Sequence, residues 1–171
     1  MLSFVHSDGA KTVYEMRGNG PAVLLIHGAE GTRRSFDRVA TKLADRFTVV
    51  TYDQRDCGET LSDAVNVDLC LLASDAAELL RGIGQSSAHI FGTSFGGRVA
   101  QAVAVLHPEM VERLVLASTW ALPLSLRELN PEVASKTARL RAGLPETAET
   151  LAEYFFPRRS LPRSRSSGNI L

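Results

Sequence analysis

The chain has 171 residues, 44% of them apolar and 22% charged, a composition that places it with globular proteins and supplies enough material for one substantial core. Its formal net charge is zero, and no basic stripe or aromatic-interleaved basic patch occurs in the first 156 residues, which excludes nucleic acid as an expected partner. No apolar run approaches the ~20 residues of a membrane helix, and two cysteines, Cys57 and Cys70, are too few for a disulfide framework, so a cytoplasmic, reducing setting without a membrane partner is expected.

Residues 2–6 and 11–16 are short strand-like runs separated by the turn tripeptide Ser7-Asp8-Gly9, which predicts an opening β-hairpin. After Gly18-Asn19-Gly20-Pro21, the run Ala22-Val23-Leu24-Leu25-Ile26 is continuously apolar, as expected of a strand buried on both faces of a parallel sheet. The same signature recurs at 47–52, 88–91 and 113–117. Between these runs lie stretches with helical spacing: 35–45, 67–81 (apolar at Leu69, Leu72, Ala76, Leu79 and Leu80) and 95–106. This alternation predicts an α/β fold: a doubly wound, mostly parallel sheet of six strands, with ligands at the carboxyl ends of the strands. Beyond Trp120 the strand runs stop. Residues 125–156 read as helices through Leu126, Leu129, Val133, Leu140, Leu151, Tyr154, Phe155 and Phe156, and are expected to begin a helical lid. The Arg/Ser/Pro-rich stretch 157–171 has no pattern able to bury a face and is expected to be disordered. The expected organisation is a core at 1–120, a lid segment at 121–156 and a tail at 157–171.

The run Ile90-Phe91-Gly92-Thr93-Ser94-Phe95-Gly96-Gly97 is an apolar strand that ends in Gly-x-Ser-x-Gly and turns directly into a helix, the arrangement of a nucleophile elbow. So sharp a turn holds Ser94 in a strained conformation above the sheet, with Gly92 and Gly96 removing side chains that would collide across it. Ser94 is therefore the candidate nucleophile. Such a serine needs a histidine base and a carboxylate, and the only later histidine is His107, thirteen residues on at the far end of the elbow's helix. At about 1.5 Å per residue that is some 20 Å away, too far for a base, and His107-Pro108 reads as a helix stop. His6 and His89 fall in strand segments and are expected to be structural. No histidine or cysteine spacing fits a metal site.

Three motifs in order, over residues 10–120, resemble the α/β-hydrolase family. They are His27-Gly28-Ala29-Glu30-Gly31 after the first buried strand, Tyr52-Asp53-Gln54-Arg55-Asp56-Cys57-Gly58-Glu59-Thr60, and the elbow itself. The second is similar to the family's D-x-R-G-x-G-x-S loop, with Asp56 where a glycine usually stands. The resemblance implies a serine hydrolase that attacks an ester, lactone or related small-molecule carbonyl through a Ser94 acyl-enzyme, with no cofactor. Backbone N–H groups of Ala29 and Phe95 would stabilise the oxyanion, and His27 and Gly28 would form the substrate-side oxyanion loop. Asp53 is expected to shape its own loop with Arg55. A serine nucleophile argues against the dehalogenase branch, which uses a carboxylate. The family's plan has eight strands, and its acid and histidine come later; Ala117-Ser118-Thr119-Trp120 offers no acid. The resemblance therefore implies a C-terminally truncated fold lacking the triad acid and histidine, and a bare apolar edge near residues 114–117 prone to self-association. The alternatives are a catalytically inactive fragment that binds a small ligand or a partner, or a fragment that does not fold by itself.

Overall fold

The computed structural model describes residues 2–64 and 66–155, and the chain divides into two compact units, Met1–Pro123 and Leu124–Leu171. The first unit opens with β1 (Leu2–Val5) and β2 (Lys11–Arg17), an antiparallel hairpin in which Leu2 faces Tyr14 and Val5 faces Lys11. It continues through β3 (Ala22–Ile26), α1 (Asp37–Leu43), β4 (Thr48–Tyr52), α2 (Leu69–Gly82), β5 (Ala88–Thr93), α3 (Phe95–Leu106) and β6 (Val111–Ala117). The six strands form one sheet in the order β1-β2-β4-β3-β5-β6; β2 joins β4 antiparallel, and the last four run parallel. This is the mostly parallel α/β sheet expected, with six strands and with α3 spanning the residues anticipated.

Burial explains why β3 and β4 lack the alternation of a half-exposed strand. Every residue of both is buried. On one face, Leu24, Ile26, Val50, Tyr52 and Ile90 pack with Leu72, Ala76, Leu79 and Leu80 of α2 and Val99 and Val103 of α3. On the other, Val23, Leu25 and Val49 meet Phe36 and Ala40. The Asp68 carboxylate caps α2 by accepting the Leu71 N–H at 2.8 Å, which offsets one of the unpaired donors of the first turn. β6 differs from the other parallel strands. Its apolar run has the same composition, yet Leu114, Val115 and Leu116 remain 37%, 51% and 43% exposed, because β6 pairs with β5 alone among the described residues.

The second unit contains α4 (Leu126–Leu129), α5 (Pro131–Ala142) and α6 (Ala148–Phe155). Ser125 and Glu128 form a reciprocal capping box at the start of α4, and Asn130 caps α5 by accepting the Val133 N–H at 3.0 Å, ahead of Pro131 in the first turn. The Lys136 ammonium lies 4.5 Å from the centroid of the Tyr154 ring. The tail expected to be disordered lies outside the described residues.

The sheet and α3 approach each other closely at the elbow. A Cβ on Gly96 would lie 2.3 Å from the carbonyl oxygens of both Ile26 and His27, and one on Gly92 would lie 2.3 Å from the Gly96 carbonyl oxygen. These neighbours are backbone atoms and have no rotamer to change. Gly96→Ala is expected to destabilise the chain by about 2–4 kcal/mol in urea unfolding, through displacement of α3 from β3. A cost below roughly 0.5 kcal/mol would show that the contact yields freely.

Candidate active site

Ser94 joins β5 to α3 with φ 52° and ψ −123°, a left-handed conformation that L residues rarely adopt. Three groups hold it there. Its N–H donates to the Ala117 carbonyl at 3.0 Å, and its own carbonyl accepts from the Gly97 N–H at 3.0 Å and from the Thr119 hydroxyl at 2.7 Å. The loop after β3 runs against the serine: a Cβ on Gly28 would lie 3.3 Å from Ser94 Cβ and 3.8 Å from its Oγ. Ala29 stands exposed on the turn that the Gly31 N–H closes onto the Gly28 carbonyl at 3.0 Å. Phe95 is the first residue of α3, where an N–H has no acceptor within the helix. Ala29 and Phe95 together line a pocket of about 200 Å³ with Gln54, Arg55, Cys57, Val67 and Leu72. Burial, then the neighbouring Asp53 and Asp56 carboxylates, hold the Cys57 thiol above its usual range, so it is a poor rival nucleophile.

Two loops carry this arrangement, and a buried ion pair ties them together. Asp53, fully buried, accepts the Arg33 N–H at 2.7 Å and the Glu59 N–H at 2.9 Å, and takes a charged hydrogen bond from the Arg33 guanidinium. Arg33 reaches Glu15 at 3.3 Å and bonds Glu59 as well. Gly58, at φ +55°, leaves the room that the Asp53 carboxylate fills. The expected Asp53–Arg55 partnership is not made. Arg55 instead grips Asp75 on α2 at 2.6 and 2.8 Å and Asp8 in the hairpin turn at 2.8 Å. Local spacing favoured a partner two residues away, but the fold brings a cation from twenty residues earlier. Arg33, Glu59 and Gln54 are contributors that sequence reasoning missed; the positions of Gln54 and Glu59 within the motif at 52–60 could have flagged those two, and nothing marked Arg33.

Three of the four histidines lie elsewhere. His107 closes the far end of α3, where its Nε2 is 3.5 Å from the Ser74 hydroxyl. His6, just past β1 rather than within it, lies 2.7 Å from the Thr12 hydroxyl through Nε2 and 3.2 Å from Glu78 through Nδ1. His89 sits on β5 at 3.7 Å from Glu112. Among the described residues no cluster of three or more His, Cys, Asp or Glu could hold a metal ion, and no helix is long and apolar enough to cross a membrane. A family model described as alpha/beta hydrolase fold matches residues 21–165. The chain belongs to that family. It is 37% identical over 111 residues to the uncharacterized hydrolase YraK of Bacillus subtilis, covering 63% of this chain and 40% of that protein. It is also 36% identical over 122 residues to a fluoroacetate dehalogenase of Burkholderia sp., covering 68% and 40%. Among solved structures, a hydrolase from Pseudomonas aeruginosa PA01 superposes with a TM-score of 0.76 at 29% identity, over 96% of this chain and 62% of that one. The chain spans about two fifths of the length of these curated relatives.

In this member of the α/β-hydrolase fold family His27 is fully buried and bonds the loop after β3. Its Nε2 accepts the Gln54 N–H at 3.2 Å, which leaves the ring proton on Nδ1 to donate to the Gly28 carbonyl at 2.8 Å. His27 thus reaches a substrate only through the loop it holds. Burial lowers its pKa below the usual 6.5, against smaller opposing effects of the Gly28 carbonyl and Asp53. The unfolded chain then binds more protons than the folded one below pH ~6.5, so the His27 contribution to stability is present above that pH and is lost as pH falls. Urea unfolding between pH 7.5 and 5 is expected to show the wild type losing stability faster than His27→Gln, by up to about 1.4 kcal/mol per pH unit. Parallel pH profiles would mean that the ring takes up its proton without cost.

Proposed function

We propose that the chain carries the nucleophile and oxyanion half of a serine hydrolase acting on an ester, lactone or related small-molecule carbonyl. The observation that carries this reading is Ser94 itself, at φ 52° in a Gly-x-Ser-x-Gly turn, with Gly28 at van der Waals range and Ala29 and Phe95 on one pocket. A binding role alone would give no reason to hold a serine under strain. In this scheme Ser94 Oγ forms a bond to the carbonyl carbon as the C=O π bond opens, and the Ala29 and Phe95 N–H groups receive the developing oxyanion, each donor lowering the barrier by about 3 kcal/mol. Collapse of the adduct expels the alcohol oxygen and leaves Ser94 acylated. The serine proton must go to a base, and in this reading the triad acid and histidine are missing from this chain. The helical second unit is read as the start of a lid.

A second reading, an inactive binder of small ligands or of a partner, is favoured by one observation: the four histidines are each engaged or placed away from Ser94. Exposure to an activated short-chain p-nitrophenyl ester, followed by intact-mass measurement, separates the two. The wild type is expected to gain one acyl group, mapped to Ser94, and to shed it slowly, because the missing base withholds about six orders of magnitude in turnover. Ser94→Ala is expected to gain none. Equal acylation of both proteins, or of neither, would remove Ser94 as nucleophile and leave the binding reading.

A further inference from the structure

The peptide unit that joins Ser94 to Phe95 carries two groups with different partners. It is planar and trans, so its carbonyl and its N–H point in opposite directions and cannot turn independently. Whatever fixes the Ser94 carbonyl therefore also aims the Phe95 N–H. That N–H stands in the first turn of α3, where the helix itself offers it no acceptor.

The carbonyl is held twice. It accepts the Gly97 N–H at 3.0 Å, within the turn into α3, and the Thr119 hydroxyl at 2.7 Å, from a loop twenty-five residues further on. That loop is fastened to α3 at several points. The Gln101 side-chain amide donates to the Trp120 carbonyl at 2.9 Å and accepts the Leu122 N–H at 3.2 Å, so one side chain grips the loop through both of its polar ends. The Arg98 guanidinium lies 5.4 Å from the centroid of the Trp120 ring. Ser118, just before Thr119, adopts φ 48°, a left-handed conformation uncommon outside glycine. Gly97 completes the fit. A Cβ there would lie 2.6 Å from Thr119 Cβ and 2.7 Å from its Cγ2 and Oγ1, and a β-branched threonine has few rotamers with which to retreat. The second glycine of Gly96-Gly97 is thus the space that Thr119 occupies.

We infer that Thr119 is a positioning residue for the oxyanion donor: by binding the Ser94 carbonyl it fixes the direction of the Phe95 N–H, with Gln101 holding the loop in place for it. The inference rests on the acyl-transfer reading above, in which the Phe95 N–H receives the developing charge. One donor already satisfies this carbonyl. A second narrows the freedom of the peptide plane, which matters for an N–H that has to meet an oxyanion at about 3 Å. The same bond polarises the peptide and strengthens its N–H as a donor, since hydrogen bonds in a chain reinforce one another. Thr119 therefore acts through the peptide and not by touching substrate.

Thr119→Val removes the hydroxyl and Thr119→Ser keeps it; Gln101→Leu loosens the loop with Thr119 in place and repeats the test should the valine variant fail to fold. Acylation of Ser94 by p-nitrophenyl acetate, followed by intact mass, is expected to slow about tenfold in Thr119→Val and to return to within about threefold of the wild type in Thr119→Ser. In NMR spectra the Ser94 carbonyl carbon and the Phe95 amide nitrogen are expected to move upfield in Thr119→Val, and by less in Gln101→Leu, while the amides of α2 keep their positions. Unmoved signals, a Thr119→Val acylation rate equal to that of the wild type, or a Thr119→Ser variant as slow as Thr119→Val would each overturn the inference. A wild type never acylated at Ser94, with the two signals moving as described, would instead overturn the hydrolase reading and leave the aiming of the peptide by Thr119 standing.

Discussion

The whole arrangement rests on one backbone constraint, the left-handed conformation of Ser94. A non-glycine residue there costs on the order of 1–3 kcal/mol and persists only where its surroundings over-determine it. Here they do so from three directions. Gly92 and Gly96 let α3 press onto β3 and β5 until backbone meets backbone, Ala117 at the end of β6 takes the serine N–H, and Thr119 takes up its carbonyl. Parallel pairing of β3, β5 and β6 is what puts these groups at one edge, because the carboxyl ends of parallel strands converge there. Topology thus fixes a side chain that local propensity would never place.

A second layer of order is electrostatic, and it works across long sequence distances. Arg33 and Asp53 are almost wholly buried, an arrangement that costs desolvation on both charges and is tolerable only when nearly every donor and acceptor is matched. That condition is met. Asp53 takes two backbone N–H groups besides the guanidinium, and Arg33 also reaches Glu15 and Glu59. Arg55 does the same for the other flank, fastening the hairpin turn through Asp8 to α2 through Asp75. The hydrogen bonds to Asp75 raise its pKa first, against burial, and those to Asp8 add to this, so it stays charged. Glu78 adds hydrogen bonds to Ser7 and His6 nearby. The loops after β3 and β4 are therefore held by charges rooted in other elements.

This division explains what could be read in advance. The apolar runs that became β3, β4 and β5, the helical spacing of α2 and α3, and the Gly-x-Ser-x-Gly turn are all local patterns, and each appeared where the pattern placed it. The partner of Asp53 was illegible because its cation comes from a stretch, Thr32-Arg33-Arg34, with no feature that distinguishes one arginine from the next. The exposure of β6 was legible only through the family resemblance: Leu114-Val115-Leu116 has the composition of a central strand, and the bare edge expected near residues 114–117 came from counting strands against the family's plan. Tertiary pairing alone separates an edge from a centre.

The missing base can be argued from geometry. The chain turns at Ser94 and runs back along α3, so the residue that ends the helix lies at the opposite side of the sheet from this serine. Twelve helical residues span about 18 Å, which a histidine side chain at position 107 cannot recover. His27, which directly precedes Gly28 beside Ser94, has both ring nitrogens committed and no exposure. In the reading proposed above, a leaving group that departs as a stable anion spares Ser94 a general acid, but the hydroxyl proton still has to pass to a base or to solvent as the bond to the carbonyl carbon forms. Hydrolysis of the resulting acyl group needs the same help, because water too must lose a proton as it attacks. Both halves of the proposed cycle therefore depend on proton transfer, and the stability of the leaving group relieves only the first of them.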